Sequence, residues 1–206
     1  MSDISTASTF EIPGALSAPF GGKPVLRYDF NEPDEDPQDL SMAGIIEHLV
    51  TYDHAQTRQL LAKLFDLLIK VKETFSTMPL GLIDIEHRLA GVRARLEENM
   101  ATEENVLFNL ILSLEKAEKL TVFHCADITN PITSVTSAQE QIKQQIQEIL
   151  AISDFLSLDY GECGVCVAIH QALKDLGHEL DHQFQTESEV LFPRAIDRER
   201  ELTQRN

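Results

Sequence analysis

Leu82-Ile-Asp-Ile85-Glu-His-Arg-Leu89-Ala-Gly-Val92-Arg-Ala-Arg-Leu96-Glu-Glu-Asn99-Met-Ala-Thr-Glu103-Glu-Asn-Val106-Leu-Phe-Asn-Leu110 is the stretch on which the fold turns. Its core-type positions step by three and four throughout, the period of one face of an α-helix. Two polar residues, Asn99 and Glu103, occupy positions where that stripe demands core-facing side chains.

Three other segments share the period. The first runs Ile46, Val50, His54, Leu61, Leu64, Leu68, Val71, Phe75. The third gives Ile132, Val135, Gln139, Ile142, Ile146, Leu150, and the fourth Ile169, Leu173, Leu176, Leu180, Gln183, Glu187, Val190. Breaker-rich turns near Met78-Pro79, Thr129-Asn130-Pro131 and Asp159-Tyr160-Gly161 separate them. Four such stripes predict an all-α chain, an antiparallel up-down four-helix bundle over residues 41–206. Residues 1–40 are rich in Pro, Gly, Ser and acid and lack a sustained period, so an irregular or flexible N-terminal arm is expected there.

At 206 residues the chain can bury a real core. No apolar run reaches the ~18 residues of a membrane span, and Met1-Ser-Asp-Ile-Ser5 has no signal character, so a cytoplasmic protein without a membrane partner is expected. Cys125, Cys163 and Cys166 do not read as a disulfide framework, in keeping with a reducing compartment. The net charge of −17 disfavours nucleic acid and anionic membrane, and its simplest consequence is solubility. There is no Gly-rich phosphate loop, nucleophile elbow or basic aromatic patch, and nothing assigns an enzymatic reaction.

Every stripe is interrupted: by His54, by Asn99 with Glu103, by Gln139, and by Gln183 with Glu187. Buried carboxylates need a compensating cation or several donors. Counted from a turn near Met78 at ~1.5 Å per residue, His54 and Glu103 fall at nearly the same height. Convergence of all six side chains is therefore expected. Asn99-x3-Glu103-x2-Val106-Leu-Phe and Gln183-x3-Glu187-x2-Val190-Leu-Phe also echo one another. The four-residue spacing puts each amide and carboxylate on one helix face.

These residues carry a resemblance to the hemerythrin-like di-iron proteins, particularly the Repair of Iron Centers family, over roughly Ile45 to Ile196. That family shows His-x3-Glu-x2-(Val/Ile)-Leu-Phe-Pro twice, and Glu187-Ser-Glu-Val-Leu-Phe-Pro193 is similar to its second copy. Pro131-Ile-Thr-Ser-Val135 resembles its third-helix opening, and Cys163 stands where the family has a cysteine. The resemblance implies bridging carboxylates at Glu103 and Glu187 and a histidine ligand at His54. The family's other three histidine positions fall on Asn99, Gln139 and Gln183, and the resemblance implies a short arm where the family has its cysteine-containing N-terminal domain.

Asparagine and glutamine offer only a weak carbonyl oxygen. The implied site is thus an incomplete di-iron centre or a single iron or other divalent ion on His54, Glu103 and Glu187. The alternative is a metal-free core in which the amides donate to the carboxylates, with His54 protonated or sharing a proton. The first makes the chain a stress-response protein of the iron–sulfur repair type, with metal and iron–sulfur proteins as partners. The second makes it an interaction or regulatory module for another protein.

His178 and His182 lie four apart on a helix face, a possible zinc pair, but beside Glu179 and Asp181 they suit a solvated surface. His182 adjoins Gln183, and a π-bulge could turn it inward as a second-choice ligand. Cys163-Gly-Val-Cys166 has dithiol spacing at a helix start but no βαβ context, which favours packing thiols. His48, His87, His124 and His170 have no evident partner.

Overall fold

The computed structural model describes residues 37–118, 127–159 and 163–204, which form four long helices and no strand. Helix α1 comprises Met42–His48, a π-turn at Leu49–Asp53, and His54–Thr74. Helix α2 comprises Leu80–Thr102, a π-turn at Glu103–Leu107, and Phe108–Lys116. Helix α3 is Thr129–Asp159 without interruption. Helix α4 comprises Gly164–Gln185, a π-turn at Thr186–Leu191, and Phe192–Gln204. The start of α1 meets the end of α2, which also meets the end of α4, as an up-down bundle requires. Most of the expected arm, residues 1–36, lies outside the described residues, as do His124 and Cys125.

The helix ends are capped by groups that the sequence places well. Ser41 Oγ accepts from Gly44 N–H at 3.0 Å, and the Glu115 carboxylate of α2 accepts from Met42 and Ala43 N–H at 2.9 and 3.2 Å. Glu199 accepts from Ile128 N–H, while Arg198 donates to the carbonyls of Leu114 and Ala117. The end of α4 thereby fastens both sides of the α2–α3 connection. Thr129-Asn130-Pro131 is not the break between helices. It is the first turn of α3, where a proline's missing N–H has no helical role.

Two apolar clusters fill the bundle. One gathers Leu61, Leu64, Leu68, Leu89, Leu96, Ile142, Leu173 and Leu180 around the end near Met78. The other gathers Ile45, Leu49, Leu107, Ile111, Val135, Leu191 and Leu202 toward the far end. His54, Asn99, Glu103, Gln139, Gln183 and Glu187, all buried, form the level between them.

At that level three of the four stripes slip by one residue. The sequence pattern puts Val50, Val106 and Val190 in the core, yet the structure buries Leu49, Leu107 and Leu191 completely and leaves Val106 49 % exposed. Each slip coincides with a π-turn, which adds a residue to one helical turn and rotates the residues beyond it. Helix α3 has no π-turn, and its stripe passes through Gln139 in phase. Leu110, Leu150 and Phe75 are only half-buried, with Ile111 and Ile149 taking the inner places beside the first two.

Candidate metal centre

The π-turns sit against the carboxylates and the histidine. Glu103 opens the one in α2, Glu187 is second in that of α4, and His54 directly follows that of α1. One ligand-type atom each from His54, Glu103 and Glu187 lies within 4.8 Å of the others, and all three residues are fully buried. The six side chains picked out by the stripes therefore do converge.

Amides tie the carboxylates together. Asn99 Nδ2 donates to Glu103 Oε1 at 2.5 Å, and Gln139 Nε2 donates to the same oxygen at 3.0 Å. Gln139 Nε2 also reaches Glu187 Oε2 at 2.5 Å, and Gln183 Nε2 donates to Glu187 Oε1 at 3.0 Å. Glu103 Oε2 is left without a hydrogen bond, and so is His54 Nε2 facing it at 3.2 Å, because the pair lacks hydrogen-bond alignment.

The other ring nitrogen explains which atom of His54 faces inward. Nδ1 lies 2.8 Å from Glu104 Oε1, which also accepts from Arg58 Nη2 at 3.0 Å. A carboxylate partner there favours the proton on Nδ1 and leaves Nε2 as the unprotonated ring nitrogen on the interior side, 3.2 Å from Glu103 Oε2. The buried ring of Phe108 stacks on the imidazole, with centroids 6.0 Å apart. The sequence does not single out Glu104, yet it and Glu103 reach the two ring nitrogens of the same histidine.

Burial dominates the electrostatics. It pushes the Glu103 carboxyl up to about 7 against the lowering effect of its hydrogen bonds. Glu187 is raised well above the ordinary range by burial first and then by the charge of Glu103. Glu104 is only partly buried: burial would raise it, but the hydrogen bonds and charges of His54 and Arg58 together hold it low. Two acceptors, His54 Nε2 and Glu103 Oε2, thus face each other in a dry core, and only a proton or a cation between them removes the repulsion.

A metal ion fits that half of the site. Ligand atoms each ~2.1 Å from one ion in cis positions stand roughly 3.0–3.4 Å apart, which matches the 3.2 Å between His54 Nε2 and Glu103 Oε2. The amide half is poor in ligands for a second ion: Asn99, Gln139 and Gln183 turn N–H groups toward the carboxylates, and the buried Gln183 Oε1, which has no hydrogen-bond partner, is only a weak amide oxygen.

The remaining candidates lie elsewhere. His182 is exposed, because the π-turn of α4 begins after it at Thr186, and His178 and His87 are exposed as well. His48 stacks on Tyr52 and stands 3.7 Å from Asp53. His170 shares a hydrogen bond with Ser153 Oγ at 2.9 Å. No described helix is long and apolar enough to cross a membrane.

No protein-family model matches the chain. Among curated proteins it is 23% identical over 164 residues to a probable iron–sulfur cluster repair protein of Haemophilus influenzae, covering 80% of this chain and 70% of that one. It is 22% identical over 163 residues to the iron–sulfur cluster repair protein YtfE of Salmonella paratyphi B and of Salmonella newport, covering 79% and 70%. The chain is thus similar in sequence, along most of its length, to proteins named for iron–sulfur cluster repair.

Proposed function

We propose that this chain is a hemerythrin-like metal-binding protein of the iron–sulfur cluster repair type, acting in the cytoplasmic response to nitrosative or oxidative stress. Its di-iron site is reduced to one ion, held by His54, Glu103 and Glu187. The observation that carries this reading is the buried, unbonded pair His54 Nε2 and Glu103 Oε2, facing each other at 3.2 Å beside Glu187. A histidine with two carboxylates suits iron, manganese or zinc. When bound, such an ion would supply Lewis acidity or, if iron, one-electron chemistry at the centre of the bundle. The chain's own part is to present the Nε2 lone pair through Glu104, to exclude water with the two apolar clusters, and to hold both carboxylates through the amides.

A second reading has its own support in the four amide-to-carboxylate bonds. With one carboxyl protonated they make a self-sufficient metal-free core, and the chain then serves as an interaction or regulatory module. Elemental analysis of protein purified without chelators decides between them. About one ion per chain, lost in Glu103→Ala, supports the first reading. No metal, with Glu103→Gln as stable as the parent or more so, supports the second, because the substitution removes a buried charge.

A further inference from the structure

At the start of α4, far from the polar level, we infer that Cys163 and Cys166 form a reversible thiol–disulfide couple in which Cys163 is the attacking sulfur and Cys166 the resolving one. Cys163 is the N-cap residue of α4, with φ −80° and ψ 98°, and Cys166 lies in the first turn. The backbone bond from Cys166 N–H to Cys163 C=O, 3.0 Å, fixes that turn. It brings the two sulfurs to 2.7 Å, with the Cys166 thiol donating to Cys163 Sγ. Closing to a bond of about 2.05 Å then needs only a small side-chain rotation.

Accessibility assigns the roles. Cys163 is partly exposed, whereas Cys166 is 4 % exposed and packs among Ile169, Leu173 and the core around them. An external disulfide reaches Cys163 and not Cys166. Burial first, and the neighbouring Cys163 second, push the Cys166 thiol up to about 12, so it keeps its proton as a resolving thiol does before the partner is capped.

The oxidant is a low-molecular-weight disulfide, RSSR, of the glutathione class. The Cys163 thiolate attacks one sulfur of RSSR, forms Cys163–S–S–R and releases RS−. Cys166 gives its proton to solvent and attacks the Cys163 sulfur, expelling the second RS−. Two protein thiols and one RSSR become one intramolecular disulfide and two RSH, and a dithiol reductant reverses the exchange. The couple stands about 36 Å along α4 from Glu187, so it operates whether or not a metal is bound.

The test is peptide mass mapping of the full-length chain after incubation in glutathione buffers of increasing oxidised fraction, quenched by acid and alkylation. The expected result is a Cys163–Cys166 bridge two hydrogens lighter, reversed by dithiothreitol. In Cys166→Ser, glutathione should accumulate on Cys163. In Cys163→Ser, the adduct on Cys166 should be at least about tenfold lower under conditions where the melting curve is unchanged. Two free thiols across the whole series, or a bridge from either residue to Cys125, would overturn the couple. Equal adduct formation on the two single variants would overturn the assignment of roles.

Discussion

Glu103 and Glu187 occupy the same place in two copies of one motif, each four residues after an amide and each within a π-turn, yet they live in different company. Both oxygens of Glu187 accept from amides, Gln183 on one side and Gln139 on the other. Glu103 receives both its amide bonds on Oε1 and turns Oε2 toward His54. The motif alone therefore does not decide the chemistry. The contribution of the facing helix decides it: an imidazole from α1 for one carboxylate, a bridging glutamine from α3 for both. The molecule has a ligand-like half and an amide-bonded half within one buried level.

The sharpest way to break this contrast is to remove one element from each half. His54→Ala deletes the imidazole and should lower the affinity for a divalent ion at least about 100-fold, more than the ~10–100-fold typical of outer-shell losses. Glu187→Gln leaves a weak amide oxygen in the ligand's place and should cost less, about tenfold. Competition with a chromophoric chelator measures both. Equal losses would show that the two halves act as one site.

Gln139 is the only described side chain that donates to both carboxylates. Gln139→Leu should destabilise the metal-free protein by about 2–4 kcal/mol in urea titrations, because two buried acceptors lose a donor together. Gln183→Leu touches Glu187 alone and should cost about half as much. A smaller loss for Gln139 than for Gln183 would move the centre of the network to α4.

Acidity separates the metal-free and metal-loaded forms by sign. The Glu103 carboxyl is raised by burial from 4.5 to about 7, and Glu187 is raised as well. In the metal-free protein the folded state then binds more protons than the unfolded chain between about pH 4.5 and 7, so stability should fall as pH rises through that window. The swing should be on the order of a few kcal/mol. With metal bound the carboxylates must be ionised, and stability should instead fall as pH drops. Melting curves from pH 5 to 8, with and without a chelator, read both slopes, and parallel slopes would exclude a bound ion at these residues.

The bundle and the composition of its polar level were legible in the sequence because both depend on one period. Each of His54, Asn99, Glu103, Gln139, Gln183 and Glu187 sits on an otherwise apolar stripe, and all six are buried together. The π-turns were not legible. At each slip the sequence offers two adjacent apolar residues, Leu49-Val50, Val106-Leu107 and Val190-Leu191, and either could face inward by hydrophobicity alone. Choosing between them depends on how neighbouring helices seat the polar level, a tertiary effect with no local signature. Glu104 was missed for a different reason: it lies about a quarter turn off the apolar stripe, where a carboxylate reads as a solvated surface group.

That missed residue gives the finest test of the ligand-like half. Glu104 is partly exposed and accepts from both His54 Nδ1 and Arg58, so its carboxylate fixes the imidazole's tautomer and orientation without reaching the interior itself. Glu104→Gln keeps the size and an acceptor oxygen but removes the charge that favours the proton on Nδ1. The expected loss in metal affinity is about tenfold, or ~1.4 kcal/mol, with little change in the stability of the metal-free protein. Arg58→Leu should move affinity in the same direction by less, because it removes a partner of Glu104 and leaves the Nδ1 contact in place. If Glu104→Gln binds metal as tightly as the parent, His54 is held by packing on Phe108 alone, and the carboxylate is only a surface partner of Arg58.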